Sequence, residues 1–255
     1  MKSNSILSRL CGLVALSACA LLSGPLSAQD FPVDRPSVST GVAVMPKGHL
    51  MWESGFSYER ERDVAEFFTL NNSYFRYGLT SAVELHLGTD LQTFRFGNAK
   101  RFSTGLSGLS VGTKIAIFQE GDVWPGLSLM ADFALPETGH KDLASRYFTP
   151  SLTLLAGKDI CSWLSLTANA GADWANGQKP VWFLAFCADF SLTERIGLFA
   201  ETYHYLSDGP DVSRFDAGIS WQAGKKIRLD LFGNGSWRQT GRYLMAGVGF
   251  AWQLF

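Results

Sequence analysis

The sequence predicts an all-β fold, a single closed antiparallel transmembrane β-barrel of about twelve strands. Three observations predict it. Alternating segments of about 9 to 12 residues recur along the chain, the length of a tilted membrane-crossing strand rather than of an ordinary soluble one. The connections alternate between short turns and longer polar loops. Aromatic residues, above all the 8 Trp, gather near strand ends.

The chain begins with a stretch, 1–28, that reads as a secretory signal peptide. Lys2 and Arg9 make a positive start, Leu10 to Leu22 an apolar core, and Ser27-Ala28 a small-residue cleavage site. The apolar run is too short for a helical span, which needs about 20 residues, and Gly24-Pro25 ends it. Leu16-Ser17-Ala18-Cys19 resembles a lipobox, but the apolar run continues past Cys19. Residues 29–48 carry Pro32, Pro36 and Pro46 and no clean period, so they read as an extended lead segment. It has two possible seats, against the barrel end or inside the lumen. Removal of the signal takes Cys11 and Cys19, leaving Cys161 in a turn and Cys187 within a strand, a placement that argues against a disulfide.

From residue 49 to 255 the alternation marks strands at 50–60, 66–77, 82–91, 108–118, 126–135, 146–157, 163–174, 180–191, 196–206, 214–222, 227–234 and 243–254. The hairpin Tyr74–Leu91 is the pattern for the rest. After the turn Gly78-Leu79-Thr80-Ser81, Val83, Leu85 and Leu87 alternate with Glu84, His86 and Gly88. Similar short turns recur at Lys158–Ser162, Leu192–Arg195 and Gly224–Lys226. Longer connections follow the odd-numbered strands at Gln92–Ser107, Glu137–Ser145, Ala175–Lys179, Ser207–Ser213 and Asn234–Arg242. Short turns at one end and long loops at the other match outer-membrane barrels, and an even strand count brings both ends of the barrel to the periplasm. The last strand is expected to pair with the first, because backbone groups in lipid must all be bonded within the protein.

One face of most strands is apolar, as in Leu127, Leu129, Ala131 and Phe133, or Trp182, Leu184, Phe186 and Ala188. The other face carries the candidate lumen set: Glu53, Arg76, Glu84, His86, Asp90, Lys114, Asp132, Asp173, Asp189, Glu201, Asp216, Arg228 and Asp230. A soluble sandwich would use the same alternation with the apolar face inward. The aromatic residues decide between them. Trp52, Tyr77, Trp163, Trp174, Trp182, Trp221 and Trp252 form the candidate girdle, since amphipathic rings favour the headgroup level at both ends of a lipid-facing band. All but Trp163 share the apolar face.

Composition narrows the function. With 46% hydrophobic residues, 18% charged residues and a formal net charge of -1, the chain lacks the basic surface that nucleic-acid binding needs. Carboxylates dominate the lumen set, and charges at membrane depth must be paired or wetted. Arg76, Glu84, Lys114, Glu201, Arg228 and Asp230 are therefore expected to form a paired belt across neighbouring strands. The belt either fills a narrow lumen or lines a weakly cation-favouring path. A hydrolytic centre would need Ser, His and an acid in reach, but Glu201 and His204 fall on opposite faces of one strand. No metal-ligand spacing joins His49, His86 and His140, and no phosphate loop or cofactor motif is present, so no cofactor and no enzymatic activity are expected.

Several stretches, taken in order, resemble one family. They are Asp34-Arg35-Pro36, Met45-Pro46-Lys47-Gly48-His49, Trp52-Glu53-Ser54-Gly55-Phe56, Arg76-Tyr77-Gly78-Leu79-Thr80, Leu109-Ser110-Val111-Gly112 and Ala134-Leu135-Pro136-Glu137-Thr138-Gly139. Thr193-Glu194-Arg195-Ile196-Gly197 and Leu229-Asp230-Leu231 continue the pattern. The chain resembles the meta-pathway of phenol degradation family of "transporter" barrels. That resemblance implies an outer-membrane barrel passing small, including aromatic or hydrophobic, molecules. The terminal Phe255 resembles the last residue read by barrel-assembly machinery, although it falls out of register with Trp252 and Phe250. The expected partners are a lipid bilayer, that machinery and a small solute. The alternatives are a plugged structural or sensing barrel and, third, a lipid-modifying barrel enzyme.

Overall fold

The computed structural model describes residues 31–174, 179–209, 211–236 and 243–255. The signal-peptide reading of 1–28, and parts of three long loops, lie outside the described residues. Thirteen strand segments follow in chain order: β1 (Leu50–Glu61), β2 (Ala65–Gly78), β3 (Val83–Phe96), β4 (Ser103–Leu106), β5 (Ser110–Phe118), β6 (Gly126–Ala134) and β7 (Thr149–Cys161). They continue with β8 (Leu164–Asp173), β9 (Val181–Ser191), β10 (Ile196–Leu206), β11 (Val212–Gly224), β12 (Ile227–Ser236) and β13 (Tyr243–Gln253). Among the described residues none is helical. All pairs are antiparallel, and β13 pairs with β1 from Met51↔Gln253 to Glu61↔Tyr243, closing the sheet on itself. Closure gives the staves ladder partners on both sides, save for the short β4, which pairs only with β3, so the backbone donors and acceptors of the wall are bonded within the protein.

The barrel has twelve staves because β4 and β5 are two parts of one. β4 pairs with β3 at Leu91–Phe94 and β5 pairs with it at Val83–Gly88. Between them, Ser107–Leu109 leaves the ladder, and Gly108 takes φ 107°, a left-handed conformation that glycine adopts without Cβ strain. This corrects two expected boundaries. Strand β3 runs to Phe96 rather than ending near 91, and the stave restarts at Ser103, so the expected 92–107 loop shrinks to 97–102. Gln92, Thr93, Arg95, Ser103 and Thr104 hid this extension. Near the long-loop end the wall carries polar residues, and apolar alternation fades while the ladder continues. Similarly β7 spans Thr149–Cys161, placing Cys161 at a strand end beside a two-residue turn. Cys161 is exposed, Cys187 is buried, and both are free.

Burial is inverted relative to a soluble sandwich. The large apolar side chains point outward: Phe186 is 54% exposed, Leu231 53% and Val248 48%. The buried set is rich in charge, with Arg76 and Lys114 fully buried beside Glu53, Glu84, Glu201 and Asp216. An apolar exterior around a charged interior is stable only where the outside solvent is itself apolar. Among the girdle residues, Tyr77, Trp182, Trp221 and Trp252 are exposed, and Trp52, Trp163 and Trp174 are half-buried. Trp52 packs edge-on to Phe250 and stacks on Phe75, and Trp163 stacks on Phe190, so the off-register Trp163 is held by a ring neighbour.

Candidate functional site

The lumen is occupied by the chain's own lead segment. Residues 31–47 cross the inside of the barrel as a strap, and bonds from its backbone and side chains reach walls on opposite sides. Asp34 is its first anchor. Its Oδ2 lies 3.1 Å from Arg76 Nη1 and 2.9 Å from Lys114 Nζ, and its backbone N–H donates to Glu53 Oε1. Arg35 reaches another part of the wall, donating from Nε and Nη2 to the Asp230 carboxylate at 3.2 and 3.1 Å and from Nη1 to Asn72 Oδ1 at 3.3 Å. Its guanidinium sits against Gly55 and Gly249, cross-strand partners on β1 and β13, where a methyl group on either would overlap it.

The strap then turns to the far wall. Glu201 accepts from the backbone N–H groups of Val38 (2.7 Å) and Ser39 (2.6 Å). Asn169 exchanges two hydrogen bonds with the Thr40 backbone at 2.7 and 3.0 Å. Val42 packs against Gly126 and Gly157 on β6 and β7, and Ser128 Oγ donates to its carbonyl at 2.6 Å. Lys114 Nζ also donates to the carbonyls of Gly41 and Ala43, and Met45 donates its N–H to Glu84. The strap leaves beside Gly78, where Gly48 N–H donates to the Gly78 carbonyl. At that exit Phe31, Met45, Met51 and Ala251 form a small buried apolar cluster. A bare extended segment would strand its backbone groups inside the barrel; here wall side chains satisfy them.

Arg76 is the hub of the charge network. It donates to Glu84 from Nε (2.7 Å) and Nη2 (3.1 Å), and from Nη1 to Glu53 (2.9 Å) and to the Pro32 carbonyl (3.1 Å). His86 links Glu84 (2.8 Å) to Asp132 (3.3 Å). The expected strand-to-strand belt is therefore only half of the arrangement. Arg76 and Glu84 pair directly across β2 and β3, but Lys114, Glu201 and Asp230 bond to the strap, and Arg228 donates to Ser220 Oγ at 2.7 Å. The reason is stoichiometric. Carboxylates outnumber wall cations, so the strap supplies Arg35 and backbone N–H donors to the excess. Strand parity could not reveal this, because the partners lie in a segment without periodicity. Asp34 and Arg35 are the functional residues that the parity reading missed; the charged pair beside Pro36 was their only signal.

The remaining candidates line the wall with less burial. Asp90 accepts from Asn72 Nδ2 at 2.6 Å, and Asp189 lies 3.6 Å from the Cys187 thiol. Asp132 and Asp173 both register against Ser151 on β7, at one level of the wall, and all four of these carboxylates are half-buried. Asp216 sits opposite Glu201 across β10 and β11. His204 bonds Ser213 Oγ at 2.9 Å, on the face opposite Glu201. Among the described residues no group of three or more His, Cys, Asp or Glu is arranged to hold a metal ion. Above the strap, toward the long-loop end, a cavity of about 270 Å³ opens beside the Ser107–Leu109 break, lined by Tyr74, Thr89 and Asp90 among others.

A closed barrel with an apolar exterior and a polar, self-strapped lumen defines the class: a transmembrane β-barrel of the outer-membrane type. Residues 33–255 match the family described as "Putative MetA-pathway of phenol degradation", and the chain belongs to that family. No curated protein matches it. Among solved structures it is similar to an outer membrane channel from Pseudomonas putida F1, at 13% identity and TM-score 0.68, over 86% of this chain and 100% of that one. The KdgM porin aligns at 10% identity and TM-score 0.54, over 80% of this chain and 99% of the porin. The toluene transporter TbuX from Ralstonia pickettii aligns at 9% identity and TM-score 0.51, over 88% and 98%. At these identities the likeness is one of fold.

Proposed function

We propose that this protein is a passive outer-membrane channel for small molecules, aromatic or hydrophobic ones included, with the strap as its gate. The observation that carries the reading is the polar lumen itself, in which a solute-sized cavity stands directly above a segment held only by hydrogen bonds, ion pairs and packing. A solute enters the cavity from the long-loop end and passes when the strap shifts from one wall. The chain is exported, loses residues 1–28 and is inserted by the barrel-assembly machinery, with Phe255 at the strand end that machinery would meet. Its partners are the bilayer and the solute; nucleic acid is excluded by the charge balance, and no step calls for a cofactor or a catalytic residue. The similar solved structures, channels and porins, support the reading through fold.

Conductance of the purified protein in planar bilayers, with solute flux into vesicles, tests it. Steady conductance and flux above protein-free controls are expected. A second reading, a plugged barrel with a structural or sensing role, draws on the completeness of the strap's docking, and silence in both assays would favour it.

A further inference from the structure

We infer that the cavity above the strap is a binding site for small organic cations, with Asp90 as the counter-charge. The cavity is about 270 Å³ and Asn72, Tyr74, Thr89, Asp90, Leu109 and Ser110 lie along it. A cavity of roughly 150 Å³ already admits a benzene ring, so a monoaromatic molecule with a polar arm fits. The polarity of the arm follows from the lining. Asp90 accepts one hydrogen bond, from Asn72 Nδ2 at 2.6 Å, and no Lys or Arg ion-pairs with it among the described residues. The nearest guanidinium, that of Arg35, is ion-paired to Asp230 and bonds the site through Asn72 Oδ1, so its charge acts on Asp90 only through space and is shared with Asp230. Thr89 has a buried hydroxyl with no partner among the described residues, able to accept from a ligand donor. Nearby, Asp132 bonds only His86, and neither it nor Asp173 has a Lys or Arg partner among the described residues. This part of the lumen is therefore acidic and short of donors, whereas the strap region below it is neutralised by Arg35, Arg76 and Lys114. An ammonium group supplies both the missing charge and the missing donors, and the Tyr74 ring, in the same lining, adds an aromatic wall that a cation favours.

The inference rests on the solute-passage reading only for the route by which the cation arrives. Three probes of one shape and three charges test it: benzylamine, protonated at neutral pH, benzyl alcohol and benzoate. Each is titrated calorimetrically into the full barrel in lipid nanodiscs, with empty nanodiscs as the reference. Benzylamine is expected to bind about tenfold tighter than benzyl alcohol, the worth of one charge-assisted hydrogen bond, with benzoate weakest. Asp90→Asn, nearly isosteric, should erase the preference, and Tyr74→Leu should weaken benzylamine several-fold and by more than it weakens benzyl alcohol. Equal binding of amine and alcohol, no binding of any probe, or a preference that survives Asp90→Asn would overturn the site. Calorimetry reads equilibrium binding, so silent bilayers beside intact amine binding would overturn passage and leave the site standing.

Discussion

Replacing Arg76 by Met removes the cation from three carboxylates at once. Its guanidinium lies 2.7 Å from Glu84, 2.9 Å from Glu53 and 3.1 Å from Asp34, and neither Arg76 nor Glu84 has any exposure. Methionine keeps most of the stem volume, so the cost is electrostatic rather than a cavity. Breaking a buried ion pair by removing one partner costs about 3–5 kcal/mol, because the surviving charge is left uncompensated. For a chain of this size each kcal/mol corresponds to roughly 2–4 °C, so the unfolding midpoint should fall by roughly 6–20 °C. The assay is heat-modifiable gel mobility across a temperature series, which reads the folded barrel directly. Arg76→Met with Glu84→Gln should recover part of the loss, since the second change removes one of the stranded charges. A midpoint within about two degrees of the parent, against the shift expected above, or a double variant worse than the single one, would refute the assignment of Arg76 as the hub.

Gly249→Val sets a branched side chain where the Arg35 guanidinium lies. It should displace Arg35 from Asp230 and raise single-channel conductance, whereas an unchanged conductance trace would deny the slot its role in holding the strap. Phe186→Arg puts a charge on the exposed apolar face of β9, where membrane barrels lose about 2–4 kcal/mol near mid-depth. Refolding yield into vesicles should fall, and the same change at the buried Ala185 position, which faces inward, gives a contrast through steric overlap with the lumen rather than through lipid. Indifference to Phe186→Arg would mean that the apolar exterior does not face lipid.

The barrel was legible in the sequence because each membrane-crossing strand must obey two rules at once, alternation by face and a length set by the bilayer. The stretch Val83-Glu84-Leu85-His86-Leu87-Gly88 shows both, and its residues pair with β2 and β5 along the run. Where the wall carries polar residues the rule relaxes, and Thr93 and Ser103 are strand residues that alternation missed. The charged lumen set was legible by parity alone, but its partners were not. Glu201 and Asp230 look like members of a strand-to-strand belt until the strap is seen, since an irregular segment such as Asp34–Thr40 carries no period to place it. The acid excess was the physical clue: an interior with too few wall cations has to find donors elsewhere, and the one uncommitted segment of the chain supplies them.

The most direct measurement uses a cysteine already in the wall. Ser39 on the strap donates its backbone N–H to Glu201, the cross-strand partner of Cys187, so Ser39→Cys in a Cys161→Ser background sets a strap thiol beside the wall cysteine. Peptide mapping of the oxidised variant should find the strap peptide cross-linked to the peptide that carries Cys187. The oxidised barrel should show little conductance or vesicle flux and regain both on reduction. A cross-link that fails to form would contradict the strap's place in the lumen, and flux that is the same oxidised and reduced would contradict its role as the gate.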